Sequence, residues 1–162
     1  MLKVELLMKK SILLIFAAAL LFSTYDVASG CVCDLPLKKQ TVGQVRKAVA
    51  AELNKATIVF VGQVVQLDNF KVTLKVKQMW KGSAADEITM ITGAVKGTGD
   101  TLIFSDCDYR FISGETYLSY AFGSANNLIT GKCSRTTTIE YAARDLAELD
   151  RIKRRESKRH KI

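Results

Sequence analysis

A chain of 162 residues that is 48% hydrophobic and 25% charged, with a single proline, can build one domain with a real core, hardly two, and is too apolar for disorder. Its formal charge of +8 suggests a nucleic-acid partner until it is located. Residues 151–162 carry +6 and residues 1–30 carry +1, leaving +1 for residues 31–150, so the body is near neutral and the basicity belongs to a tail.

The N-terminus reads as an export signal. Lys9 and Lys10 form a positive start, Ser11–Phe22 is an uncharged apolar run, and Ala28-Ser29-Gly30 offers small residues for a signal peptidase. The run is shorter than the roughly 20 residues a spanning helix needs. Met8-Lys9-Lys10 is a more typical signal start than Met1. Cleavage after Gly30 is expected, giving a signal peptide over 1–30, a domain over 31–150 and a basic tail over 151–162. The expected location is extracellular or periplasmic. Val27-Ala28-Ser29-Gly30-Cys31 also resembles a lipobox, so a lipoprotein anchored through Cys31 is the alternative.

The four cysteines, Cys31, Cys33, Cys107 and Cys133, all follow the signal, and an even count in an exported chain reads as a disulfide framework. Cys-Val-Cys has the wrong spacing for a zinc site, and a Cys31–Cys33 bridge would close a strained ring. Two pairings remain open. Both clamp the N-terminal segment onto two distant parts of the chain, and each long loop stabilises by roughly 4 kcal/mol as an upper estimate.

Thr41–Lys55 has helical spacing in Val42, Val45, Ala48, Val49 and Leu53, with Thr41 placed to cap. Ala56–Leu67 is rich in β-branched residues and predicts a long strand with a bulge or bend at Gly62. Lys71–Val76 alternates, with Val72, Leu74 and Val76 facing in, and Trp80-Lys81-Gly82 ends that strand in a turn. Ile88–Thr92 predicts a third strand before a loop with Gly93, Gly97 and Gly99. A short strand over Thr101–Phe104 follows. Phe111-Ile112 and Thr116–Phe122 predict another strand around Ser113-Gly114-Glu115, and Asn126–Thr130 predicts the last. Thr137-x-x-Glu140 has the form of a capping box, opening a helix whose inner face holds Tyr141/Ala142, Asp145/Leu146, Leu149 and Ile152. Short strands around one long bent strand, with flanking helices, predict a mainly β, five-stranded OB-type barrel, with a plain β-sandwich as the alternative.

Catalytic groups are sparse. The single histidine, His160, lies in the tail, so no Ser-His-Asp or Cys-His site has a base in the fold. Asp106 and Asp108 flank Cys107 as solvated turn residues, and no phosphate-cradling glycine motif is present. Trp80 and Tyr109 could stack on bases as in single-strand-binding OB folds, but a neutral exported body argues against nucleic acid. No cofactor, no intrinsic metal and no enzymatic activity are expected. The cationic tail reads as a solvated helix end, with weak contact to an anionic surface as a second reading.

Cys31-Val32-Cys33 at the expected mature N-terminus and Ala56–Val64 resemble the netrin-like domain of tissue inhibitors of metalloproteinases, in its short bacterial branch. So do Val76–Gly82, Cys107-Asp108-Tyr109, Gly114–Leu118 and Cys133-Ser134-Arg135-Thr136. The resemblance implies an OB barrel over about 31–149 and bridges Cys31–Cys107 and Cys33–Cys133. It also implies a secreted inhibitor, and a monomer is expected. The Cys31 amine and carbonyl would chelate the zinc of a target metalloprotease, and Val32 and Asp34 would contact that protease. The chain departs from the animal inhibitors in lacking a third barrel disulfide and a C-terminal domain, and in having Val at its second position. A non-inhibitory module for another extracellular or envelope partner is the alternative function.

Overall fold

The computed structural model describes residues 31, 33, 40–68, 71–92, 95–96, 102–103 and 107–159, the two short segments 95–96 and 102–103 in backbone only. The first element, helix α1 (Val42–Lys55), is opened by a capping box. The Thr41 hydroxyl accepts from Gln44 N, and Gln44 Oε1 accepts from Thr41 N, which satisfies two otherwise orphaned amides.

The strands are β1 (Ile58–Leu67), β2 (Lys71–Lys81), β3 (Glu87–Ile91), β4 (Val95–Lys96), β5 (Leu102–Ile103), β6 (Thr116–Ser124), β7 (Asn127–Ile129) and β8 (Thr137–Thr138). A one-turn 3-10 helix (Ile139–Tyr141) leads into helix α2 (Ala143–Arg159). Strands β1-β2-β3-β7-β6 pair in that order, and β6 pairs back to β1. The result is a closed five-stranded barrel with OB-type order. It is mixed because β3 and β7 run parallel. Strand β8 adds to β6 outside the ring, and β4–β5 is a separate ribbon.

Strand β1 explains why its sequence reads as an almost unbroken apolar run. Ile58, Phe60 and Val64 fill the barrel with Val72, Leu74 and Met90. Val59 and Val61 point the other way, packing with Leu118 and Tyr120 against Val45 and Val49 of α1 and Leu149 of α2. A strand buried on both faces shows no alternation. The register of β1 on β2 shifts between Val61 and Gly62, at the expected bulge. A Cβ on Gly62 would lie 2.9 Å from Phe60 Cε2 and 3.0 Å from Leu74 Cβ, so glycine is required where the two strands approach.

Trp80-Lys81-Gly82 lies at the end of β2, where each residue fixes a neighbour. The Trp80 indole donates to Asp150 of α2 at 2.9 Å. Lys81 Nζ donates to the Leu53 and Asn54 carbonyls at 2.8 and 3.0 Å, capping the negative end of α1. Gly82 takes φ 108° beside Ile58, a conformation natural to glycine.

Several expectations require correction. Trp80 and Lys81, expected in the turn, still belong to strand β2, because Lys81 stays paired with Val59 of β1, and the turn begins at Gly82. Phe111-Ile112 lie outside any strand. Asn127–Ile129 is not the last strand, since β8 follows. Thr137 opens no helix: it belongs to β8, pairing with Leu118, and the helical turn after it has no side-chain cap. Tyr141, expected on the inner face, is 80% exposed, whereas Ala142, Asp145 and Leu149 are buried. The glycine loop lies outside the described residues. Helix α2 runs through the expected boundary at 150 as far as Arg159.

Candidate functional site

The cysteines converge on one edge of the barrel. Asp108 bridges to Gly131, and Lys132 N donates to the Cys107 carbonyl at 2.9 Å, which lays the segments holding Cys107 and Cys133 side by side. Onto this pair the N-terminal segment is stapled by Cys31–Cys107 and Cys33–Cys133, each with a Cα–Cα distance of 5.0 Å. The loops closed span 76 and 100 positions. This is the pairing that the resemblance implies. Cys31 and Cys33 are half-buried, while Cys107 and Cys133 are exposed. Val32, Asp34, Asp106 and His160 lie outside the described residues.

The sulfurs of Cys31, Cys33 and Cys133 lie within 4.8 Å of one another. That closeness follows from two disulfides stacked together. Bridged sulfurs carry no thiolate and hold no metal ion in this state.

A hydroxyl cluster supports the turn beneath Cys133. Ser134 donates to the Gly131 carbonyl at 2.8 Å and accepts from Thr136 N at 3.1 Å. Buried Thr130 donates to the Tyr120 carbonyl at 2.9 Å, and its Oγ1 lies 3.0 Å from Ser134 Oγ and 2.8 Å from Thr136 Oγ1. Tyr120 N in turn donates to Thr136 Oγ1. The bonds to the Tyr120 backbone fasten the turn to β6, and the others hold it together internally.

Arg135 then ties the turn to both helices. Its guanidinium forks onto Asp145 of α2 at 2.7 and 2.5 Å, and its backbone N–H donates to Glu52 of α1. The hydrogen bond to Asp145 raises the Arg135 pKa above its ordinary value. Burial, followed by the Asp145 charge, pushes the Tyr120 phenol well above the usual range, so it stays neutral and donates to Asp145. Within the cluster the Arg135 and Asp145 charges are paired with each other.

Beside Cys107 runs a groove of about 380 Å³ lined by Leu67, Asp68, Thr92, Asp108, Tyr109 and Phe111, among others. The Tyr109 ring packs on Phe111 and Tyr117 at centroid distances of 4.9 and 5.9 Å. Burial, with Tyr117 adding to it, pushes its phenol up to about 12. Trp80 is likewise half-buried and committed to Asp150. Neither aromatic is the open stacking platform weighed from the sequence.

Sequence reasoning found the cysteines and missed Thr130, Arg135 and Asp145 as one unit. The available signal was Asp145 itself, a carboxylate set in the apolar stripe of α2. Comparison with protein-family models returns no match, and comparison with curated proteins returns none.

Proposed function

We propose that this chain is an exported netrin-like domain that inhibits a zinc metalloprotease through the backbone of Cys31. The observation that carries the reading is the double staple, which fixes Cys31 on an edge of an OB-type barrel. A residue that is itself bridged and lies two positions from a second bridge loses little conformational freedom on docking, which lowers the entropic cost of binding.

The chemistry requires cleavage between Gly30 and Cys31. The new α-amine titrates near about pH 7.7–8.0, so it sheds its proton cheaply at neutral pH. Amine and carbonyl of one residue then form a chelate at the open position that a catalytic zinc keeps. Val32 enters the pocket beside the metal and Asp34 contacts its rim. The disulfides agree with an oxidising compartment, extracellular or periplasmic.

N-terminal sequencing and intact mass of the protein from its own host test the premise, and a panel of zinc proteases tests the activity. The reading expects a free Cys31 amine, a mass lower by two hydrogens per bridge, and inhibition of at least one protease. A diacylglyceryl adduct on Cys31 ends the inhibitor reading, since the amine is then acylated and the thiol consumed. A free amine without inhibition favours the non-inhibitory binding module.

A further inference from the structure

Helix α2 looks mixed in sequence, with four acids among its cations, but the fold sorts the two signs. Asp145 is consumed by Arg135 and Tyr120, and Asp150 by Trp80 and Gln78. Glu148, 5% exposed, takes Arg151 and lies 3.6 Å from Arg46. Only Glu156 is left exposed. At 3.6 residues per turn, Arg144, Arg151, Arg154, Arg155 and Lys158 share the face turned from the barrel. The stripe is about 21 Å long at 1.5 Å per residue; Glu148 lies at its edge, buried and paired with Arg151, and the remaining cations leave the face strongly positive.

The stripe borders a groove of about 300 Å³ between the helices. Apolar Val42, Val45 and Ala147 line it together with the ion-paired Glu148 and Arg151 and with Arg46, Arg144 and Arg154. Val42 is 61% exposed, and Tyr141, just ahead of the helix, is 80% exposed. A row of cations on one rigid side, with an exposed aromatic at its end, matches a flat anionic surface whose headgroups meet every cation at once. Long arginine stems cover the apolar floor while their heads reach outward, and tyrosine suits the wet margin of a bilayer.

We propose that the α1–α2 face docks onto a bilayer of anionic phospholipid. This surface is separate from the disulfide edge, and the proposal stands whether or not Cys31 inhibits a protease. The test is cosedimentation of the protein, purified from its host, with phosphatidylcholine vesicles made with and without phosphatidylglycerol.

Binding is expected only to the anionic vesicles, and it should fall with salt as the screening length shrinks from about 8 Å at physiological strength to about 3 Å at 1 M. The triple variant Arg144→Gln/Arg154→Gln/Lys158→Gln should bind about a hundredfold more weakly, at about fivefold per cation. Its thermal midpoint should fall only slightly, since all three side chains are exposed and the one hydrogen bond lost is that of Arg144 to the Gln40 carbonyl at 2.8 Å. Lys71→Gln/Lys75→Gln, on the barrel, should bind like the parent. Equal binding to both vesicle types, an undiminished triple variant, or capture by soluble polyphosphate with no vesicle binding would each overturn the proposal.

Discussion

The sulfur of Cys31 lies 3.5 Å from the sulfur of Cys133, to which it is not bonded. The two bridges therefore touch, and the N-terminal residue of the staple rests against both chain segments that hold it. Position at Cys31 is then set jointly by Cys107 and Cys133, and through the Cys133 turn by the Thr130 hydroxyl cluster.

Peptide mapping under non-reducing conditions should recover Cys31 joined to Cys107 and Cys33 joined to Cys133. Reduction should lower stability by several kcal/mol, given about 2–5 kcal/mol for each native bridge in a small domain. A Cys31–Cys133 peptide would contradict the pairing, and an unchanged melting temperature would show that the barrel does not depend on the staple.

Replacing Arg135 by Met strands the buried carboxylate of Asp145. The expected loss in a urea titration is about 3 kcal/mol, the lower part of the range for breaking a buried pair. The double variant Arg135→Met/Asp145→Leu should recover much of that, because neither charge remains to be desolvated. Equal losses in the single and double variants would mean that Arg135 acts only through its backbone and stem.

Much of this fold is legible in the strands and little of it in the connections. Runs such as Ile58–Gly62 announce themselves because each residue is buried by one face or the other. The capping-box reading of Thr137-x-x-Glu140 fails because a two-residue strand has no periodicity of its own. Thr137 and Thr138 are extended only through pairing with Leu118 and Tyr117. At the site, the cysteines stand out by type and count. The roles of Thr130 and Arg135 depend on partners about one strand away, which no local pattern reveals.

Gly62→Ala should destabilise the barrel by about 1–3 kcal/mol, the usual cost of forcing extra volume into a packed site. The added methyl meets Phe60, Leu74 and the Lys75 carbonyl, the last at 3.2 Å. Chemical denaturation checks this, and a neutral result would show that β1 and β2 separate at the bulge.

Acid sensitivity should trace in part to Glu148. The hydrogen bond from Arg151 holds its carboxyl below the ordinary value of 4.5. Its stabilisation is therefore fully present above pH 4.5, the unfolded-state value, and is lost as pH falls through the lower folded-state value. Glu148→Gln should be less stable than the parent near neutral pH, with the gap closing in acid. Tyr120, raised in the folded state, acts with the opposite sign. Its contribution is complete below the ordinary value of 10.0 and is lost as pH rises beyond it. Melting curves from acid to alkali on the parent, Glu148→Gln and Tyr120→Phe separate the two limbs.

The central claim is that the Cys31 backbone is the inhibitory group. Its most direct measurement compares the mature chain, a form with one Ala added before Cys31, and Val32→Gly against a susceptible zinc protease. The account predicts that the added Ala leaves both disulfides and the melting temperature intact but weakens inhibition by orders of magnitude, since the amine is no longer a free ligand for the zinc. Val32→Gly should cost less, about 1.5–3 kcal/mol, the burial of one Val side chain. Equal inhibition by the native and Ala-extended forms would contradict the account.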